Sequence, residues 1–178
     1  MQKSKIRQQR TVGAIVKIPL EGGYHTYARI LEGAFFAFYD CKTKIEKDDL
    51  QEIINSPILF ITSVYNEVIT TGQWLKIGKI PLEENLKIMP PVFIQDPIYK
   101  DQLRIVYNDR TEKEATIEEC KGLERFMIWN GIGIQKRISD HYSGRKNETV
   151  EEMRNPNLWR NNKHTNNSVN KIKERKIA

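Results

Sequence analysis

Two cysteines and three histidines are all the thiol and imidazole chemistry that this 178-residue chain offers. Cys41 and Cys120 have no partner at zinc or dithiol spacing, so both are expected to be reduced thiols. His25, His141 and His164 share no metal-ligand spacing, and no HxxxH, HExxH or CxxC occurs. A nucleophile elbow is missing, and Gly131-Ile132-Gly133 lacks the preceding strand and third glycine of a dinucleotide loop. Acid pairs such as Glu83-Glu84 and Glu118-Glu119 read as solvated faces. No apolar run is long enough to cross a bilayer, and the N-terminus has no signal-peptide core. These absences argue against catalysis, a metal, a cofactor and a membrane span. The expected compartment is the cytoplasm.

The formal net charge of +6 is unevenly placed. Residues 1–17 carry five Lys or Arg and no acid, and residues 144–178 carry nine basic against four acidic side chains. Residues 18–143 hold 15 basic and 19 acidic groups, a surplus of four acids. A nucleic-acid module concentrates positive charge on its folded face, so this balance makes nucleic acid an unlikely partner. The length suits one domain with appendages. Residues 1–10 are expected as a flexible basic lead-in, 11–145 as a single α+β domain, and 146–178 as an Asn-rich basic tail, disordered or loosely docked.

What the chain does have is strand periodicity. Val12, Ala14, Val16 and Ile18 alternate with Lys17 across the chain, the pattern of a half-buried strand, and Pro19 ends it or places it at an edge. Glu21-Gly22-Gly23 supplies a turn tolerant of positive φ. Residues 24–31 return as a second strand and, after Glu32-Gly33, residues 34–39 form a third that closes on Asp40. A short helix capped by Asp48 or Asp49 follows and stops at Ser56-Pro57. Residues 58–70 read as one long central strand with a bend at Asn66-Glu67, and 74–80 as another, with Gly78 marking a bulge or a close backbone approach. Prolines 81, 90, 91 and 97 predict a surface excursion holding one short strand near Val92–Gln95, and 103–107 reads as the last strand. Thr116 and Glu119 have capping-box spacing, which predicts a helix burying Ile117, Cys120, Leu123, Phe126 and Met127. Gly131 and Gly133 break that pattern before a second helix over 134–142. A helical turn is expected at 150–154, and Leu158 with Trp159 is the pair expected to dock on the body. The architecture expected is a twisted antiparallel sheet, or a partly closed SH3-like barrel, with two or three helices packed on it and a polar C-terminal tail.

Tyr24, His25, Tyr27 and Arg29 lie on or beside one strand, and Tyr, Trp and Arg are the commonest interface anchors. Either strand face could be the buried one. Asp40 and Trp74 complete the candidate partner-binding set. An SH3-like barrel also serves toxin ribonucleases and readers of peptides or nucleic acid. The ribonuclease pattern places an Arg-Pro-Ala-Val-Val-like segment on its second long strand, where this chain reads Ala28-Arg29-Ile30-Leu31. A nucleic-acid or peptide reader is therefore the second reading, and an uncharacterised hydrolase the third.

The run VGAIVKIPLEGGYHTYARIL followed by FFAFYD resembles immunity protein 26, a family of bacterial polymorphic toxin systems. The resemblance continues through Ser56-Pro57-Ile58-Leu59-Phe60, Thr71-Gly72-Gln73-Trp74-Leu75-Lys76-Ile77-Gly78 and Pro81-Leu82-Glu83. Pro90-Pro91-Val92-Phe93, Gln95-Asp96-Pro97, the stretch 118–125, Trp129 and Asp140-His141-Tyr142 follow in the same order, covering roughly residues 11–145. Ala14 and Ala28 depart from the family's usual acid and glycine. The resemblance implies a non-catalytic antitoxin without a cofactor, whose partner is a cognate toxin domain. The acidic body would steer a basic partner such as a nuclease.

Overall fold

The opening alternation folds as an antiparallel meander in the computed structural model, which describes residues 7–158. Strand β1 spans Ala14–Pro19, β2 His25–Ile30, β3 Phe35–Tyr39 and β4 Ile58–Val64. Gly22 and Gly23 take positive φ in the 3-10 turn between β1 and β2, the conformation for which glycine is suited. Helix α1 (Leu50–Ile54) enters on Asp49, whose carboxylate accepts from the Gln51 N–H at 2.8 Å. Strand β5 (Leu75–Lys79) returns to the far side of β1. In that pairing Ile15 opposes Gly78 and Val16 opposes Lys76, so Ile77 is the extra residue of a bulge. Gly78 is also a close approach, since a Cβ there would stand 2.3 Å from Leu50 Cδ1.

Four expectations give way. The run after Val64 turns into α2 (Glu67–Thr70) rather than continuing as strand. Its turn places Val68 and Ile69 together in the core, whereas consecutive strand residues face opposite sides. The capping box at Thr116 and Glu119 is present, but α3 (Ile117–Cys120) lasts one turn. Gly122 at φ 87° then releases the chain, so Leu123, Phe126 and Met127 do not continue a helical stripe. Three further strands follow β6 (Val92–Gln95) and β7 (Leu103–Val106): β8 Glu112–Ala115, β9 Glu124–Arg125 and β10 Ile128–Trp129. Helix α4 (Gly131–Tyr142) begins three residues earlier than its periodicity suggests, because Asn130 caps it through the Gly133 N–H at 2.7 Å. Its glycines also permit close packing, since a Cβ at Gly131 would meet Gln73 at 2.6 Å and one at Gly133 would meet Trp129 at 2.9 Å.

The strands make two open sheets, ordered β10-β4-β3-β2-β1-β5 and β8-β7-β6-β9, and neither closes into a barrel. Pairing is antiparallel except for β10 with β4 and β9 with β6. The larger sheet is covered on both faces. Val16, Ile18, Ile30, Phe36, Phe38 and Trp74 meet α2, α4 and α5 (Glu148–Met153) on one side. Ile15, Tyr27 and Tyr39 meet α1 on the other, where Leu31 and Ala37 also meet Leu86 and Met89. Trp74 stands edge-on to Phe36 and Phe38 at 5.6 and 5.9 Å.

Both ends of the described chain contribute. Gln8 donates to the carbonyls of Ile69 and Trp74 and accepts from the Lys76 N–H, while Arg10 donates to the Leu31 and Phe35 carbonyls. Val150 and Met153 of α5 are buried. Leu158 is exposed, and Trp159 lies outside the described residues.

Candidate partner-binding surface

Coverage of both sheet faces decides where the sequence-predicted contact residues fall. Arg29 is fully buried, and its Nη2 donates to the carbonyls of Ile80 and Pro81 at 2.6 and 2.8 Å. Among the described residues its Nε and Nη1 find no hydrogen-bond partner at full geometry, and the Tyr39 hydroxyl lies close by. Burial pushes the Tyr39 phenol up to about 12, against the opposing pull of the Arg29 charge. Tyr27 is buried beside His25, whose Nε2 is 3.0 Å from its hydroxyl, and that hydroxyl accepts from the Lys47 N–H. Desolvation first, and then the Lys17 charge, lower the His25 pKa. Trp74 is in the core. Four of the six residues are therefore closed to a partner in this conformation, and the interface expectation for them is corrected: the second sheet face is not solvent but a second core layer.

Tyr24 and Asp40 remain near the surface, on a patch that also recruits the end of α4. The Lys42 ammonium lies 4.4 Å from the Tyr24 ring centre and 5.1 Å from that of Tyr142, and Lys44 lies 4.7 Å from Tyr24. The Tyr142 hydroxyl donates to Asp40 at 2.7 Å and accepts from the Lys42 N–H. Burial, and then the Asp40 carboxylate, raise the Tyr142 pKa.

A larger apolar surface lies elsewhere. Between β10 and β9 the chain passes from one sheet to the other, and there the sheets diverge. The wedge between β4 and β9 is a groove of about 370 Å³, lined by Ile58–Ser63, Pro90–Val92, residues 122–127 and Arg154. A second hollow of about 370 Å³ shares Phe35, Pro90, Val92 and Phe126 with it and reaches Tyr107 and Arg110. Phe126 is 43 % exposed, Tyr107 42 % and Ile58 38 %, so large apolar groups stand open along this line. Single exposed apolar residues are ordinary; here three of them border the same pair of adjoining hollows. Arg110 is the one non-glycine residue with positive φ among the described residues, at 67°.

One ion network ties the groove's two walls. The Arg137 guanidinium of α4 sits 3.8 Å from the Phe60 ring centre of β4 and pairs with both Glu124 oxygens of β9, at 3.0 and 2.7 Å. Arg154 of the α5 C-cap adds a second cation to Glu124 at 2.9 Å. On the other flank of α4, Asp140 accepts from Lys136, Asn147 and Arg145, which hold its carboxyl down to about 2. Sequence reading missed this groove because its walls come from stretches some sixty residues apart. The exposed Phe126, assigned there to a buried helical stripe, is the signal that was misread.

Among the described residues no group of three or more His, Cys, Asp or Glu could hold a metal ion, and no helix is long and apolar enough to cross a membrane. Cys41 and Cys120 are free thiols packed in separate apolar clusters, and burial raises the pKa of each. The sequence profile of immunity protein 26 matches residues 11–104. The chain belongs to the immunity protein 26 family. The match is shorter than the stretch of resemblance, ending within β7, so this immunity protein builds β8–β10 and its last three helices beyond it. No curated protein and no solved structure matches the chain significantly.

Proposed function

We propose that this immunity protein neutralises a cognate toxin in the bacterial cytoplasm by binding it directly, without catalysing a reaction. Family membership carries the reading. The groove between the sheets is the surface best suited to the contact, because it gathers open aromatic and aliphatic groups over a rigid frame. The Tyr24–Lys42–Asp40 patch is a secondary contact region, polar and cationic at its rim. The acid surplus of residues 18–143 favours approach by a basic toxin such as a nuclease, and predicts association that slows as salt is added.

The test is co-expression with the toxin domain encoded beside the gene. The expected result is growth rescue together with a complex that co-purifies, and loss of both for Phe126→Asp in a variant that remains folded. Absence of both growth rescue and a co-purifying complex with the wild-type chain refutes the proposal.

A further inference from the structure

The open edge of β4 faces the groove. Hydrogen-bond directions alternate along a strand, and two bonds fix the phase here. The Val64 N–H donates inward to Ala34, while the Tyr65 N–H donates outward to Trp129. Counting back, Ser63 points outward, where β10 pairs with it, and the Ile61 N–H and carbonyl point outward too. β10 covers only Ser63 and Val64, after which the chain on that side leaves at Met127 and Phe126 to join β9 beside β6. Residues 58–62 therefore have no strand neighbour on the groove side among the described residues. β9 is itself the last strand of its own sheet. The wedge is bounded by a vacant strand edge on one side, with apolar side chains above and below.

We propose that this slot receives an extended segment of the toxin, which adds to β4 as a strand along residues 58–62; the inference rests on the toxin-binding reading above. Five residues of strand span about 16 Å, so the segment inserted is about five residues long. Main-chain bonds would supply affinity and the alternate side chains selectivity, as in other cases of strand addition. One set of those side chains would meet the Phe60 and Met127 side of β4, and the other the Phe35 and Ile61 side. The rim fixes the charge. Arg110 stands on it, Glu32 there lies in the field of Arg10, and Glu124 is already shared between Arg137 and Arg154. The occupant is thus an alternating apolar segment with an acidic residue at its flank. The acidity of the whole body acts at long range on the toxin's approach; this rim acts on the few residues that enter.

Amide hydrogen exchange of the full chain, alone and saturated with the toxin domain encoded beside the gene, tests the proposal. Exchange at Ile61 should slow on the order of a hundredfold on binding, because its outward N–H gains an acceptor. Ile61→Pro removes that donor without touching the β3 ladder, and should weaken the complex about tenfold, the value of one main-chain hydrogen bond. If the proline variant does not fold, the wild-type exchange measurement decides. A complex that forms while Ile61 exchange is unchanged overturns strand addition and leaves the immunity reading standing. Absence of any complex overturns both.

Discussion

Arg137 is the side chain whose removal most directly separates the two sheets. It is only 5 % exposed, lies on Phe60 of the larger sheet and forms a bidentate pair with Glu124 of the smaller. In Arg137→Met the aliphatic stem is kept and the guanidinium lost. Breaking one partner of a buried ion pair costs about 3–5 kcal/mol, chiefly because the remaining charge is stranded. Arg154 still reaches Glu124 here, from a half-exposed position, and offsets part of that penalty. The lost cation–π contact adds about 1 kcal/mol. The working estimate is about 3 kcal/mol, near the lower end of the range for a stranded buried charge.

The cycle with Glu124→Leu separates these terms. If the pair acts as a unit, the double variant should be less destabilised than the two single changes together, with a coupling of about 2 kcal/mol. Urea unfolding of all four proteins, compared through their midpoints at constant slope, measures it. Additivity within about 0.5 kcal/mol would refute the claim that this pair fastens the sheets. Toxin affinity gives a second readout. Because Arg137 holds Phe60 and Glu124, both of which line the groove, Arg137→Met should weaken binding even at temperatures where the fold is intact.

Two other outcomes follow from local geometry. Asp140 and Glu119 are each held down to about 2, from ordinary values of 3.8 and 4.5, by hydrogen bonds from neighbours that include Lys136 and Asn147 for the former and Thr116 and Lys113 for the latter. A depressed folded-state pKa stabilises above the unfolded value, so stability should fall as pH drops from about 4.5 towards about 2. Thermal midpoints across that range should fall less steeply in Asp140→Asn; an identical slope would show that the network contributes nothing to acid sensitivity. Gly78→Ala should destabilise by about 1–3 kcal/mol through overpacking against Leu50, and adding Leu50→Ala should recover part of it. Chemical denaturation that finds the alanine variant neutral would refute the close-approach account.

The parts of this fold that were legible from sequence are those governed by local rules. The β1–β3 meander follows from alternation and two glycine turns, α1 from the Asp49 cap and Pro57, and β6 from a short apolar run between prolines. The bulge at Ile77 was legible through a single glycine in a strand pattern. What failed was decided by neighbours distant in sequence. Val68 and Ile69 are β-branched and yet helical, because a turn there places both in the core under Trp74. For Arg29 and Tyr27 the alternation in β2 left open which face is buried. Pairing with the Ile80 and Pro81 carbonyls allows the arginine to lie inside a second core layer. Periodicity reports which residues share a face, and a polar residue on a face does not establish that water covers it.

Partner selectivity divides between the family scaffold and the chain that follows it. The family match ends at Arg104 and includes β4, Phe35 and the Pro90–Val92 stretch, one wall of the groove. The opposite wall, residues 122–127 with Arg154, and the Tyr107–Arg110 rim all lie beyond it. Arg137, which joins the walls, is also outside the match. The vacant main-chain edge of β4 is thus carried by the family scaffold, and a main-chain edge accepts almost any extended segment. Side chains that choose among such segments, Phe126, Tyr107 and the rim arginines, come from the chain that follows. Exchanging residues 105–158 between two family members should move toxin preference with the exchanged segment, whereas preference that stays with residues 11–104 would place the discriminating contacts on the scaffold itself.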